Sequence, residues 1–189
     1  MELLITLILA FSISTGDDNC GNFPAKGFDG PEMDKFTETY SNFVYGYSVK
    51  IPKGLVAYNA PAPAPQHGYG IVLSWEPRAY IYVDASYNSS DANNAKEIED
   101  THLKWLQEES AEIISIEKTR SRLGPLSARR YVAKRTCKKL KGIFIEDMTM
   151  VLHEGIVYSA GLLTTQDRYL RDKAVLEEML KTWRLAHRE

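Results

Sequence analysis

Histidine and cysteine, the side chains that most often bind metals or act in catalysis, are few and scattered in this sequence. Zinc sites need clustered ligands, and many nucleophilic sites have local motifs such as Gly-x-Ser-x-Gly. The sequence contains neither pattern, and it contains no Walker loop or Gly-x-Gly-x-x-Gly phosphate motif. We therefore predict a non-enzyme with no catalytic residue, no metal site and no cofactor. His102, on the apolar stripe of a predicted helix, is interpreted as a hydrogen-bonded core residue; the other histidines are His67, His153 and His187.

An oxygen-rich stretch precedes that helix. Carboxylate and amide oxygens are ligands that calcium prefers, but the spacing here matches no calcium-binding loop. Side-chain capping of the following helix explains the composition equally well. The stretch contains Asp84, Asn88, Ser90, Asp91, Asn93 and Asn94.

The clearest charge pattern is a basic segment, residues 118–141, with ten basic and no acidic residues. Residues 91–117 contain eight acidic and two basic residues, so a chain with a net charge of −2 is nevertheless polarised. Alternating positions share one face of a strand. The segment is therefore either a solvated sheet edge that resists aggregation or a contact surface for an acidic protein partner. The candidate binding residues are Lys118, Arg120, Arg122, Arg129, Arg130 and Lys134.

Tyrosines suggest a second candidate site. Tyr45 and Tyr47 alternate on one predicted strand, and Tyr80 and Tyr82 alternate on another. These two pairs could line a ligand pocket on a sheet face. Core and sheet packing is the plainer interpretation, because tyrosine is favoured in strands.

Composition limits the class of protein. A hydrophobic fraction of 44% and a charged fraction of 25% are typical of a globular chain. The near-neutral charge gives no global reason to expect nucleic-acid binding. The oligomeric state is left open.

The N-terminus predicts export. Residues 3–13 are apolar but too short to span a membrane, and they suit a signal peptide over residues 1–16, cut after Ser14 or Gly16. A buried N-terminal strand is the alternative. We expect a periplasmic or secreted protein, in which Cys20 and Cys137 form a disulfide; two unrelated thiols are the other possibility.

Hydrophobic periodicity predicts an α+β fold with a central antiparallel sheet flanked by helices. An irregular lead-in, residues 17–31, precedes a single domain over residues 32–189. Trp105 and Trp183 are expected to anchor the two main helices in the core. Helices are predicted over 32–42, 92–111 and 167–186, and strands over 43–51, 71–75, 79–85, 113–122, 127–136, 142–152 and 156–164.

Three segments resemble the PsbP-like superfamily. They are the aromatic-rich strand Tyr45–Gly54, the hairpin strand Gly155–Ala160 and the end of the last helix, Met179–Arg184. The resemblance covers about residues 43–185 and implies an α-β-α sandwich around a central antiparallel sheet. It implies a mostly non-catalytic role, but no family binding residue maps onto this chain.

These observations favour a non-enzymatic, exported accessory or protein-interaction domain. A small-ligand-binding protein that uses the tyrosine-lined sheet face is the alternative. A toxin-neutralising or inhibitor protein is a further alternative that the sequence does not separate from the first.

Overall fold

The computed structural model describes residues 34–59, 67–137 and 141–185. The predicted signal peptide, the lead-in and Cys20 lie outside the described residues, so export and the Cys20–Cys137 bridge stay predictions. Cys137 itself is buried at the end of a strand. The described elements are β1 (Lys35–Phe36), β2 (Thr39–Asn42), β3 (Tyr47–Lys50), β4 (Ala57–Asn59), β5 (Tyr69–Ser74), β6 (Ala79–Tyr87), α1 (Ala95–Glu109), β7 (Ser110–Leu123), β8 (Leu126–Cys137), β9 (Ile143–His153), β10 (Ile156–Thr165), α2 (Tyr169–Thr182) and β11 (Arg184–Leu185).

The strands form two antiparallel sheets. The large sheet has the order β1-β4-β5-β6-β10-β9-β8-β7, and the small sheet has the order β11-β3-β2. The predicted β9–β10 hairpin is confirmed, with His153 opposite Ile156 across a turn in which Glu154 and Gly155 have positive φ. The fold is therefore α+β, as predicted, with more strand than helix. Strand β7 forms one edge of the large sheet.

The two faces of the large sheet bury different elements, because successive strand residues point to opposite faces. On the α1 face, helix α1 covers a cluster that includes Tyr131, Met148 and Met150. On the α2 face, helix α2 and the small sheet enclose a larger aromatic cluster. Each helix contributes an apolar stripe: Ile98, Leu103 and Leu106 in α1, and Leu176, Met179 and Leu180 in α2.

The predicted helix over residues 32–42 is wrong. Residues 39–42 form β2, where Tyr40 and Asn42 are buried and Thr39 and Ser41 are exposed. This period of two outweighs the helical spacing of Met33, Phe36 and Tyr40, on which the predicted helix rests. Residues 43–46 turn the chain into β3, with Gly46 at a φ of 65°.

The start of α2 is stabilised without a side-chain N-cap. Its N-cap residue is Arg168, which makes no side-chain capping bond. The Thr164 hydroxyl instead donates to the Asp172 carboxylate at 2.7 Å, and Arg168 pairs with the same carboxylate. An ion pair inside the first turn therefore stands where a side-chain N-cap is usual.

The core-anchor prediction is confirmed for Trp183 but not for Trp105. Trp183 is fully buried directly after α2, and its ring stacks on Tyr47 at 4.6 Å and meets Tyr158 edge-on. Trp105 is only half-buried and contacts the His102 ring. Trp183 thus joins the end of α2 to both sheets.

We expect Trp183→Ala to lower the free energy of unfolding by about 3–5 kcal/mol, because it opens a cavity in the core. Trp105→Ala is the matched control and should cost clearly less. Urea denaturation with a common m-value measures both changes. Equal losses would contradict this assignment of the core.

Candidate functional site

The basic segment forms a hairpin at the edge of the large sheet. Its turn has two residues, Gly124 and Pro125, between the paired residues Leu123 and Leu126. A glycine with a φ of 55° at the first central position is the type II′ arrangement. Register shifts interrupt the pairing near Ser110–Ser115, whereas residues 115–123 pair regularly with β8. The far side of β7 pairs with no strand of the described sheet.

Three candidate residues remain on the exposed surface of β7. Lys118 and Arg120 lie opposite Tyr131 and Arg129, so their side chains share the α1 face. The Lys118 ammonium is 3.3 Å from the Asp100 carboxylate of α1, and the Arg122 guanidinium donates to the Gly124 and Pro125 carbonyls. Within the described ranges, Arg120 is exposed and has no ion-pair or hydrogen-bond partner.

The candidate arginines of β8 are drawn into the fold instead. Arg129 donates to Glu99 of α1 at 2.7 Å, and the Glu99 side chain is fully buried. On the α2 face, both Arg130 bonds to the buried Asp147 carboxylate are 2.6 Å long. The Tyr169 hydroxyl of α2 also donates to Asp147. Both arginines thus tie a helix to the sheet.

A third buried pair escaped sequence analysis. Arg135 is fully buried on the α1 face and donates to Glu146 of β9 at 2.8 Å. The Tyr131 hydroxyl donates to the other Glu146 oxygen at 3.0 Å and lies 2.7 Å from His102 Nδ1. The sequence signal is the adjacent pair Glu146 and Asp147 within a largely apolar strand, since buried carboxylates require partners.

His102 is hydrogen-bonded, as expected, but like Trp105 it is only partly buried. Burial lowers the pKa of His102, although the Glu146 carboxylate opposes this effect, so the ring is neutral at neutral pH. Because the Tyr131 hydroxyl gives its proton to Glu146, a neutral His102 must donate from Nδ1 to the Tyr131 oxygen. The network therefore fixes one histidine tautomer.

The six candidate residues do not form one cationic surface. Lys118, Arg120 and Arg122 lie on the exposed edge, and Arg129 is partly covered by its pair with α1. Arg130 and the half-buried Lys134 lie on the opposite face of the sheet. The cations of β8 alternate between the two faces of the sheet, and buried carboxylates bind some of them. The segment that is continuous in sequence is therefore divided in the structure.

The four candidate pocket tyrosines are also separated. Tyr45 and Tyr47 are buried in the α2-face cluster. Tyr80 and Tyr82 stack on each other at 5.9 Å, and Tyr82 packs against the α1-face cluster. A Cβ atom at Gly161 would lie 2.5 Å from the Tyr82 ring, so Tyr82 lies flat across the neighbouring strand. The packing interpretation therefore describes all four residues.

One carboxylate beside the tyrosine cluster has an unusual environment. The Asp84 side chain is 15% exposed, and its Oδ1 atom is 4.0 Å from His67 Nδ1. Burial raises the pKa of Asp84 to about 6, whereas His67 acts in the opposite direction. The Tyr45 ring packs 5.3 Å from the His67 ring. Burial therefore disfavours the ionised form of Asp84.

The oxygen-rich stretch caps α1, as one of its two interpretations predicts. The Asn94 side chain accepts hydrogen bonds from the backbone amides of Lys96 and Glu97. Asn88 accepts from the Ala92 amide at 3.2 Å and donates to the Ala92 carbonyl.

Among the residues that the structure describes, no group of three or more His, Cys, Asp or Glu side chains is placed to hold a metal ion. No helix in the described ranges is both long and apolar enough to cross a membrane.

The fold is similar to that of a PsbP protein, so the structure agrees at the level of the fold with the resemblance found in the sequence. The solution structure of CyanoP, the cyanobacterial PsbP of Synechocystis sp. PCC 6803, matches with a TM-score of 0.53 and 16% identity, over 78% of this chain and 91% of that chain. PA94 of Pseudomonas aeruginosa, a protein of unknown function, has a TM-score of 0.48 and 11% identity, over 83% and 98%. LpqN, involved in cell envelope biogenesis of Mycobacterium tuberculosis, has a TM-score of 0.35 and 12% identity, over 84% and 87%. No protein-family model and no curated protein sequence matches the chain.

The buried position of Arg130 predicts a large effect on stability. Arg130→Ala leaves the Asp147 charge buried beside only the Tyr169 hydroxyl, which should cost about 3–5 kcal/mol. Arg120→Ala removes an exposed charge of the same type and should change stability by less than about 0.5 kcal/mol. Denaturant unfolding of both variants measures the contrast. Similar small effects would show that Arg130 is a surface charge.

The raised pKa of Asp84 predicts a pH-dependent stability. The folded protein holds the Asp84 proton more tightly than the unfolded chain does. The contribution of Asp84 to the free energy of unfolding is therefore complete below the unfolded pKa of about 3.9 and is lost as the pH rises through about 6. The stability of Asp84→Asn relative to the wild type should therefore improve by about 2–3 kcal/mol between about pH 4 and about pH 7.5. Thermal or urea unfolding across this range measures the difference.

Asp100→Asn is the matched control for Asp84→Asn. Hydrogen bonds from Lys96 and Lys118 lower the pKa of the exposed Asp100 carboxyl, so its replacement should shift relative stability in the opposite direction. The same direction for both variants would contradict the burial of Asp84.

Proposed function

We propose that this chain is an exported, non-enzymatic accessory domain that binds an acidic protein partner through β7. The observation that carries the proposal is the exposed surface formed by Lys118, Arg120 and Arg122 on a long sheet edge. In contrast to the β8 arginines, these residues keep their charges accessible at the surface. Export to the periplasm or medium is supported by the apolar N-terminal segment.

The fold supports an accessory role in general terms. The CyanoP similarity extends over most of both chains, and the α-β-α sandwich of PsbP-like proteins fits the separate clusters beneath α1 and α2. The buried ion pairs described above tie helices and strands together. In the described part of the chain, the Arg120 and Arg122 side chains form no ion pair or hydrogen bond with either helix, which favours an external partner.

The partner surface can be tested by charge reversal. We expect the double variant Lys118→Glu, Arg120→Glu to lose proteins that the wild type captures from an exported fraction of the native organism at low salt. Capture by the wild type should weaken as salt rises, because the Debye length is only about 10 Å at 0.1 M. Quantitative mass spectrometry of the captured proteins measures both effects.

Lys35→Glu, Lys53→Glu is the matched control, since it reverses two exposed charges outside β7, one of them on β1 at the opposite end of the large sheet. Neither variant should lose its fold, because exposed charges contribute little to stability. Identical sets of captured proteins for wild type and both variants would leave β7 as a solvated edge and overturn the proposal.

A further inference from the structure

The regular half of β7 has a free hydrogen-bonding edge. In a two-residue hairpin, the residues that flank the turn, here Leu123 and Leu126, form a hydrogen-bonded pair. Pairing then alternates, so Thr119 and Ser121 bond to β8 while the backbone groups of Arg120 point away from it. The outward-pointing positions in the regular stretch are Ile116, Lys118, Arg120 and Arg122.

Three of these four outward-pointing residues are the cations on the exposed surface. Each therefore presents a free N–H and C=O in the plane of the sheet and a positive side chain on the α1 face. The opposite end of the large sheet differs, because β1 has only two residues. Short edge strands resist pairing with other chains, whereas the outer ladder of β7 is long enough to accept a strand.

The charges decide which strand fits. An antiparallel pairing of two copies centred on Arg120 would place Arg120 opposite itself and Lys118 opposite Arg122. Shifting the centre by one residue still pairs a cation with a cation, and like charges directly opposite each other are destabilising. A partner strand with carboxylates at alternate positions instead places each carboxylate opposite a cation, and Arg120 has a guanidinium available to bind one in bidentate fashion.

We propose that β7 binds its partner by strand addition, in which an extended segment with acidic residues at alternate positions becomes a ninth strand of the large sheet beside residues 116–122. This inference rests on the proposed function and specifies its chemistry. Backbone hydrogen bonds supply affinity in this type of recognition, and alternate side chains supply specificity.

The test uses a synthetic eight-residue peptide in which glutamate alternates with threonine, binding to the full chain. In hydrogen exchange, the amides of Lys118, Arg120 and Arg122 should gain protection on binding. The amides of Thr119 and Ser121 should not change, because they already bond to β8. This alternation distinguishes strand addition from attraction between side chains alone.

Two N-methylated peptides form a matched pair. Methylation of the glutamate amides removes the donors that face β7 and should weaken binding roughly tenfold or more, whereas methylation of the threonine amides leaves these donors intact. Arg120→Glu should weaken binding of the unmodified peptide by a similar factor, and Lys53→Glu should not.

The outcomes separate the two proposals. Equal binding of both methylated peptides, no alternating protection, or no binding at about 1 mM peptide would overturn strand addition. The proposed function would then stand or fall on the capture experiment alone. Loss of capture in Lys118→Glu, Arg120→Glu together with failure of the peptide test would leave an acidic partner that binds by side chains only.

Discussion

The structure depends on two consecutive carboxylates in the middle of the large sheet. Glu146 and Asp147 are adjacent on β9, are both buried, and point to opposite faces. Each meets an arginine of β8 on its own face: Arg135 on the α1 face and Arg130 on the α2 face. A register slip of one residue would move each carboxylate to the wrong face and leave buried charges unpaired, which is far more costly than a lost surface contact.

The same pairing attaches both helices. Tyr131 and His102 link the Glu146 pair to α1, and Tyr169 links the Asp147 pair to α2. Because these bonds approach the sheet from opposite sides, the position of each helix is coupled to the β8–β9 register. Removing one partner therefore disturbs a helix as well as a strand.

Hydrophobic periodicity was sufficient for most of the large sheet and for the approximate positions of α1 and α2. It failed for residues 39–42, because Met33, Phe36 and Tyr40 stand at helical spacing, whereas pairing with β3 makes residues 39–42 a strand. Sequence analysis could not separate Arg129 and Arg130 from the exposed cations of the basic segment for a different reason. The acids that neutralise Arg129 and Arg130 are 30 and 17 residues away in sequence, so only the fold brings them together. The candidate pocket tyrosines were likewise divided between two sheet faces that sequence spacing does not define.

The β8 arginines are held in ion pairs with buried carboxylates, which leaves the cations of β7 as the residues available to a partner. A cation buried against a carboxylate has lost most of its hydration and is held by that partner, so it offers little to an incoming chain. Lys118, Arg120 and Arg122 are at the surface, on a strand whose outer backbone groups pair with no described strand. The charges that prevent two copies from pairing at this edge also attract an oppositely charged strand. Protection from self-association and selection of an acidic partner are therefore two consequences of one charge pattern.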